Sequence, residues 1–217
     1  MKLLIVFFLL IFVLQSCSTC GPDILLGRFD LAEESVRFVP YTGNESLVFT
    51  DNEGKEHKLN SPKGKKVTQT TLKVKTTCDE GLINKQHLYY RIQREQVAFC
   101  DESNKQLFYT DLTTFSEDNQ NLDSIAIYDF LLVDSGINGE FNGQIKIITK
   151  ERQNHVSSYH KDTWHCSEFI GDTIIYGREF KNVYKGNVNL NRNIYYNGEK
   201  GVIAFEISDT TYWVFKN

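Results

Sequence analysis

Alanine is nearly missing from this sequence. Four occur among 217 residues: Ala32, Ala98, Ala126 and Ala204. Alanine is the strongest helix former, whereas the plentiful Val, Ile, Thr, Tyr and Phe suit a pleated, half-buried surface. A helical bundle is therefore disfavoured and an all-β domain expected. Basic clusters are missing too. With 24 Lys and Arg against 28 Asp and Glu, the formal net charge is −4, which argues against nucleic acid as a partner. Proline occurs three times, and no Pro-, Ser- or Gly-rich stretch offers a linker between domains. One domain is the expectation, long enough to bury about 70% of the surface its unfolded chain would expose.

Local signatures of catalysis are absent as well. There is no G-x-S-x-G elbow to single out a nucleophilic serine and no phosphate-cradling G-x-x-x-x-G-K-[ST]. "GDT" at 171–173 and "VDSG" at 133–136 read as turns. No catalytic residue and no cofactor is assigned. A pair of glycosidase carboxylates would be distant in sequence and leave no local mark, so an exported hydrolase stays as the alternative to a binding or accessory module.

Long apolar runs are confined to one place. After Met1 and Lys2, residues Leu3 to Leu14 contain no polar side chain. As a helix, that dozen would rise about 18 Å, short of the roughly 30 Å hydrocarbon core. A charged start, a short apolar centre and small residues after it describe a secretory signal. Its end, Leu14-Gln15-Ser16-Cys17, resembles the bacterial lipobox, with Gln15 departing from the usual small residue. The resemblance implies a diacylglyceryl group on Cys17, cleavage after Ser16 and acylation of the new amine. Two or more acyl chains anchor a protein stably where one does not. The expected organisation is a signal peptide over 1–16, a lipidated tether over 17–23 and a β-rich domain over 24–217. Loss of Lys2 with the signal makes the mature chain one unit more negative, so lipid and no polybasic patch would hold it to the membrane.

Strand-like alternation fills the remainder. "SLVFTDNEGKEHKLN" (46–60) reads as a hairpin about Asp51 to Gly54, and Asn197-Gly198 suits a tight turn. "LDSIAIYDFLLVD" (122–134) fits a buried strand or a short helix, and Glu151 to Asp162 a loop or an exposed strand pair. The number and spacing of the runs predict an antiparallel meander, closed as a sandwich or a partly closed barrel. Near the end, Asn182, Val183 and Tyr184 are followed by Ile194 to Asn197, Gly201, Val202, Ile203, Phe205 and Trp213. This pattern resembles the closing segment of uncharacterised lipoproteins from Bacteroidota, to which no activity is attached. In the pattern, Ile194 and Tyr196 should share one sheet face with Tyr195 on the other, and Val202 and Ala204 should oppose Ile203 and Phe205.

Export leads to a compartment where disulfides persist. Beyond Cys17, the sequence has Cys20, Cys78, Cys100 and Cys166, which allow three pairings. Cys78 with Cys100 is the expected one, because both end consecutive strand-like regions; a bridge at Cys20 would pin the tether to the domain. His155, His160, His165 and Cys166 carry metal-ligating groups, but steps of five residues do not converge on a helix or strand, so no metal is assigned. Asp123-Ser124-Ile125, Asp172-Thr173-Ile174 and Asp209-Thr210-Thr211 resemble Bacteroidota O-glycosylation acceptors. Aromatics make up 13% of the chain; they fill a core or line a mouth for a small hydrophobic or sugar ligand. Tyr89-Tyr90 and Tyr195-Tyr196 should each put one ring on each sheet face. Ser18 after the anchor points to the outer membrane, and the lack of an acidic run there to its periplasmic face. The partners expected are the membrane and an envelope protein or such a ligand.

Overall fold

A computed structural model describes residues 20–80, 84–116, 126–137, 140–153, 167–187 and 192–216. Strand makes up 72% and helix 3% of the described structure, and the antiparallel sheet forms a nearly closed barrel. The all-β expectation holds, in its barrel form.

Thirteen strands belong to one sheet: β1 (Ile24–Phe29), β2 (Ser46–Asp51), β3 (Glu56–Asn60), β4 (Lys66–Glu80), β5 (Asn84–Cys100), β6 (Gln106–Ser116), β7 (Ile127–Ile137), β8 (Glu140–Gln153), β9 (Ser167–Ile175), β10 (Arg178–Asn187), β11 (Asn193–Asn197), β12 (Gly201–Ser208) and β13 (Thr211–Phe215). A single-turn-and-a-bit helix, α1 (Glu33–Arg37), follows β1. The order across the sheet is β8-β7-β6-β5-β3-β2-β13-β12-β11-β10-β9, with β1 and β4 each paired to β5 off this path. The expected hairpin at 51–54 forms: Gly54 takes φ 84° and donates its N–H to Asp51 O at 3.1 Å. The ambiguous 122–134 run supplies strand β7 from Ile127, because Leu131 and Val133 must reach the interior at every second position.

The sheet closes where β8 meets β10 and β11. Gly186 lies so close to the Gln144 backbone that a Cβ would collide with its carbonyl oxygen. Ser167 Oγ on β9 donates to Lys146 O at 2.5 Å. The interior is filled, with Phe49, Phe99, Phe108, Phe205 and Tyr196 each at most 1% exposed. Tilted and edge-on ring pairs such as Phe49–Phe205 and Tyr41–Phe99 set the packing.

Two further clusters lie off this core. Ile175, Phe180, Val183, Tyr195, Ile203, Ala204 and Val214 form one on the opposite face of the β11–β13 region. Tyr195 is therefore buried on the side of the sheet away from the main core. Tyr196 and Tyr195 do take opposite faces. The predicted alternation in β12 fails, since Val202 and Phe205 enter the main core while Ile203 and Ala204 enter the second. The cause is a register shift: Tyr195 faces Ala204 but Tyr196 faces Val202, leaving Ile203 as an extra residue. The third cluster, Val74, Leu88 and Ile127 with Phe29, Leu72 and Tyr90 against it, belongs to the part of β4, β5 and β1 that runs past the barrel.

Asp129 locks α1 to this same end. Its carboxylate, 0% exposed, accepts from Ala32 N at 2.8 Å, Ser35 Oγ at 2.9 Å, Thr114 Oγ1 at 3.2 Å and Arg152 Nε at 3.0 Å. Four donors satisfy a charge that would otherwise be costly to bury. Arg152 additionally donates to Asp30 O, so the chain before α1 is fastened too.

Candidate functional site

An open cleft of about 320 Å³ sits beyond the C-terminal end of β5, between β3, β13 and the turn from β5 to β6. Lys55, Glu56, His57, Asp101, Ser103 and Trp213 line it. Two turns of the same build shape its sides. Asp51 Oδ1 accepts from the backbone N–H groups of Glu53 and Lys55, and Asp101 Oδ1 from those of Ser103 and Lys105, all within 3.0 Å. Such aspartate turns form because a short carboxylate can mimic a backbone acceptor.

Between them, the His57 ring lies flat on the Trp213 indole, centroids 3.9 Å apart and planes 13° from parallel. His57 Nε2 is 2.7 Å from Asp51 Oδ2. This contact and two backbone N–H groups hold the Asp51 carboxyl below its usual value, against the opposing effect of burial. At Asp101, burial favours the neutral acid, yet the donors of Lys105 and Ser103 outweigh it and its carboxyl is also held low. Both remain anionic at neutral pH. The cleft thus presents the carboxylates of Glu56, Asp101 and Glu102, lysines and a fixed pair of stacked rings, with Asp51 holding His57 from outside the lining.

A second open cleft, about 360 Å³, is lined by Lys63, Lys66, Gln96, Gln106 and Tyr109 among others. Beside it run polar groups of the outer sheet face: Arg94 pairs with Asp111 through Nε at 2.8 Å and through Nη2, and Gln144 Nε2 donates to Asp134 at 3.2 Å. Burial pushes the Asp134 carboxyl above its ordinary value, although Gln144, Tyr109 and Lys146 counter it. These contacts cross neighbouring strands and read as sheet stabilisation.

The cysteines depart from expectation. Cys100 is a free, buried thiol, which corrects the Cys78–Cys100 bridge. The β4–β5 register sets Cys78 opposite Gln86, and Cys100 follows at the far end of the same strand, roughly 45 Å away at 3.4 Å per residue. A disulfide tolerates about 7 Å between Cα atoms. Burial, with Asp101 nearby, raises the Cys100 thiol above its ordinary value, so it stays protonated and unreactive. Cys20, in contrast, is disulfide-bonded. The residues after it are held to β5: Gln86 Nε2 donates to Pro22 O and His87 N to Asp23 Oδ1, both at 2.8 Å.

Residues 1–19, including the apolar run and Cys17, lie outside the described residues, as do His155, His160, His165, Cys166 and Asp123-Ser124-Ile125. Among the described residues, no group of three or more His, Cys, Asp and Glu could hold a metal ion, and no helix is long and apolar enough to cross a membrane. Thr210 is exposed in the β12–β13 turn, whereas Thr173 is half-buried opposite Phe180.

Sequence reasoning missed the cleft. Asp51 was legible as a turn residue and Trp213 as part of a pattern, but they adjoin only because β13 pairs with β2, Trp213 opposite Asp51. Comparison with known proteins finds no family profile, no curated protein and no solved structure that matches this chain.

Proposed function

We propose that this protein is a bacterial lipoprotein, tied to the periplasmic face of the outer membrane through acylated Cys17, whose barrel serves as a binding module. Its site is the His57–Trp213 cleft, and a sugar is the ligand whose chemistry fits. Apolar faces of a sugar ring stack on indole, while its hydroxyls bond to carboxylates and lysines.

The observation that carries this reading is the arrangement along β5. The chain from Cys17 first joins the fold at Cys20 and at Gln86–His87, near the start of the strand. The cleft begins at Asp101, just past its end. About 15 residues at 3.3–3.4 Å separate the two, up to roughly 50 Å. A lipid at one end leaves the other facing away from the bilayer and open to ligand. The Cys20 disulfide further supports export to an oxidising compartment.

Two measurements test the proposal. The intact mass of the mature protein is expected to show acyl groups on a chain starting at Cys17, and Cys17→Ser is expected to release it from membranes. A glycan screen read by tryptophan fluorescence is expected to give binding that Trp213→Ala abolishes. Failure of every glycan to bind overturns the assignment of the cleft.

One observation favours a second reading, an exported hydrolase: Ser103 and His57 line one cleft, and His57 bonds to Asp51. No hydrogen bond joins Ser103 to His57 among the described residues, so a Ser–His pair is not assembled. Ester hydrolysis that Ser103→Ala removes would establish it.

A further inference from the structure

Among the described residues six large apolar side chains are exposed, and three of them are consecutive: Ile24 and Leu25 at 46% and Leu26 at 38%. They belong to the outer strand β1, which among the described residues pairs on one side only, parallel to β5. An apolar edge strand invites other chains to pair with it unless something covers it. The charged side chains that protect such edges are absent at these three positions.

The neighbours on the same face are of a particular kind. Leu25 lies opposite Tyr89, which lies opposite Lys73, so one row across the three strands reads leucine, tyrosine, lysine. The next outward-facing row holds Arg28 and Arg91. Lys73 and Arg91 are exposed, and Arg28 pairs with Asp30. Below the face, Phe29, Tyr90 and Leu72 turn inward to the third cluster. An apolar tip, an aromatic with a polar end and flanking cations match the successive layers of a lipid surface: acyl chain, interface and phosphate.

The chain before the fold supplies the occupant. Three residue steps lead from Cys17 to Cys20, which is disulfide-bonded. Fully extended they span about 10 Å, less than half the reach of a tether that stayed free to Ile24. With so short a link, the first strand cannot leave the vicinity of the bilayer.

We propose that the Ile24–Leu26 edge rests in the surface of the membrane to which Cys17 is tied, with Tyr89, Lys73 and Arg91 at headgroup level. The lipid anchor then holds the barrel near the bilayer, and β1 orients it. This inference rests on the lipoprotein reading. It goes beyond that reading in assigning a second, non-covalent membrane contact to the folded domain.

The test uses the full chain, acylated in a bacterial host and reconstituted into vesicles of phosphatidylethanolamine with a minor share of phosphatidylglycerol. Leu25→Trp places a reporter at the edge. Phe169→Trp places one on β9, where Phe169 is 56% exposed, and the parent gives the background of the two native tryptophans. The expected result is that the added Leu25→Trp emission shifts to the blue and is quenched by lipids brominated in their acyl chains. The Phe169→Trp emission should be unaffected. Flotation with the vesicles but no quenching at position 25 overturns this inference alone. Equal quenching at both positions, or a cross-linked dimer through β1, does the same. Loss of flotation overturns the lipoprotein reading and this inference together.

Discussion

The two ends of β5 are built to different rules. From Glu95 onward the strand is a barrel wall, with Val97 and Phe99 at 2% and 0% exposure among rings from six other strands. From Lys85 to Ile92 it is the centre of a three-stranded flap, with β4 on one side and β1 on the other. Among the described residues the buried cluster there is small, Val74 and Leu88 with Ile127 of β7, helped by Phe29, Leu72 and Tyr90. A closed barrel removes its own edges and surrounds each inward side chain. A flap has one covered face at most. The contrast teaches that stability resides in the barrel, while the flap is held by specific fastenings: the Asp129 network, the Cys20 disulfide and the bonds from Gln86 and His87.

The strongest way to break this contrast is to empty the barrel. Phe99→Ala is expected to cost about 3–5 kcal/mol, read as a lowered denaturant midpoint. Leu72→Ala, at the half-buried rim of the flap cluster, should cost about 1–2 kcal/mol by the same measure, since it removes less buried surface. Equal losses would mean that the flap is as much a core as the barrel.

Asp129→Ala is expected to come next, at about 3 kcal/mol, because it leaves the Arg152 guanidinium without its buried partner. Hydrogen exchange should quicken in α1 and in β1, with the far end of β5 little changed. A uniform increase across the barrel would show that the fastening belongs to the global fold.

Cys20→Ser should cost about 2 kcal/mol or less and act locally, raising exchange in β1 while the thermal midpoint moves by a few degrees. Reduction of the parent protein should copy the effect, as Cys100 has no bond to lose.

The smallest effect concerns charge on the barrel's outer face. Asp134 has its folded pKa raised by burial. A carboxyl raised in the fold costs stability wherever it is ionised. That cost is absent below the ordinary carboxylate pKa and grows as pH rises through the folded value. Asp134→Asn should therefore be more stable than the parent at neutral pH, with the difference closing as pH falls through the carboxylate range. Asp51→Asn should behave oppositely. Its carboxyl is held low by His57, so the parent's advantage is full above the ordinary aspartate pKa and is lost as pH falls through the lower folded value. Denaturant midpoints across a pH series check both signs.

Residue type and period alone determined that this chain makes strands, where the β2–β3 hairpin turns and which way Ile194, Tyr195 and Tyr196 point. They did so because β-branched and aromatic side chains alternate with a period of two, and because turn residues favour particular backbone angles whatever surrounds them. The lipoprotein proposal also rests on a local message, a short apolar segment before a cysteine. What the strands became was decided at a distance. Gly186 lets β8 and β10 touch and so closes a barrel; one extra residue at Ile203 reverses the faces of half of β12; the β4–β5 register carries Cys78 and Cys100 to opposite ends of a strand. The cleft needs β13 against β2 to set Trp213 beside Asp51 and His57, positions more than 150 residues apart in the chain. Pairing across such separations depends on how the strands of the barrel pack around its interior, and only the folded chain can settle that.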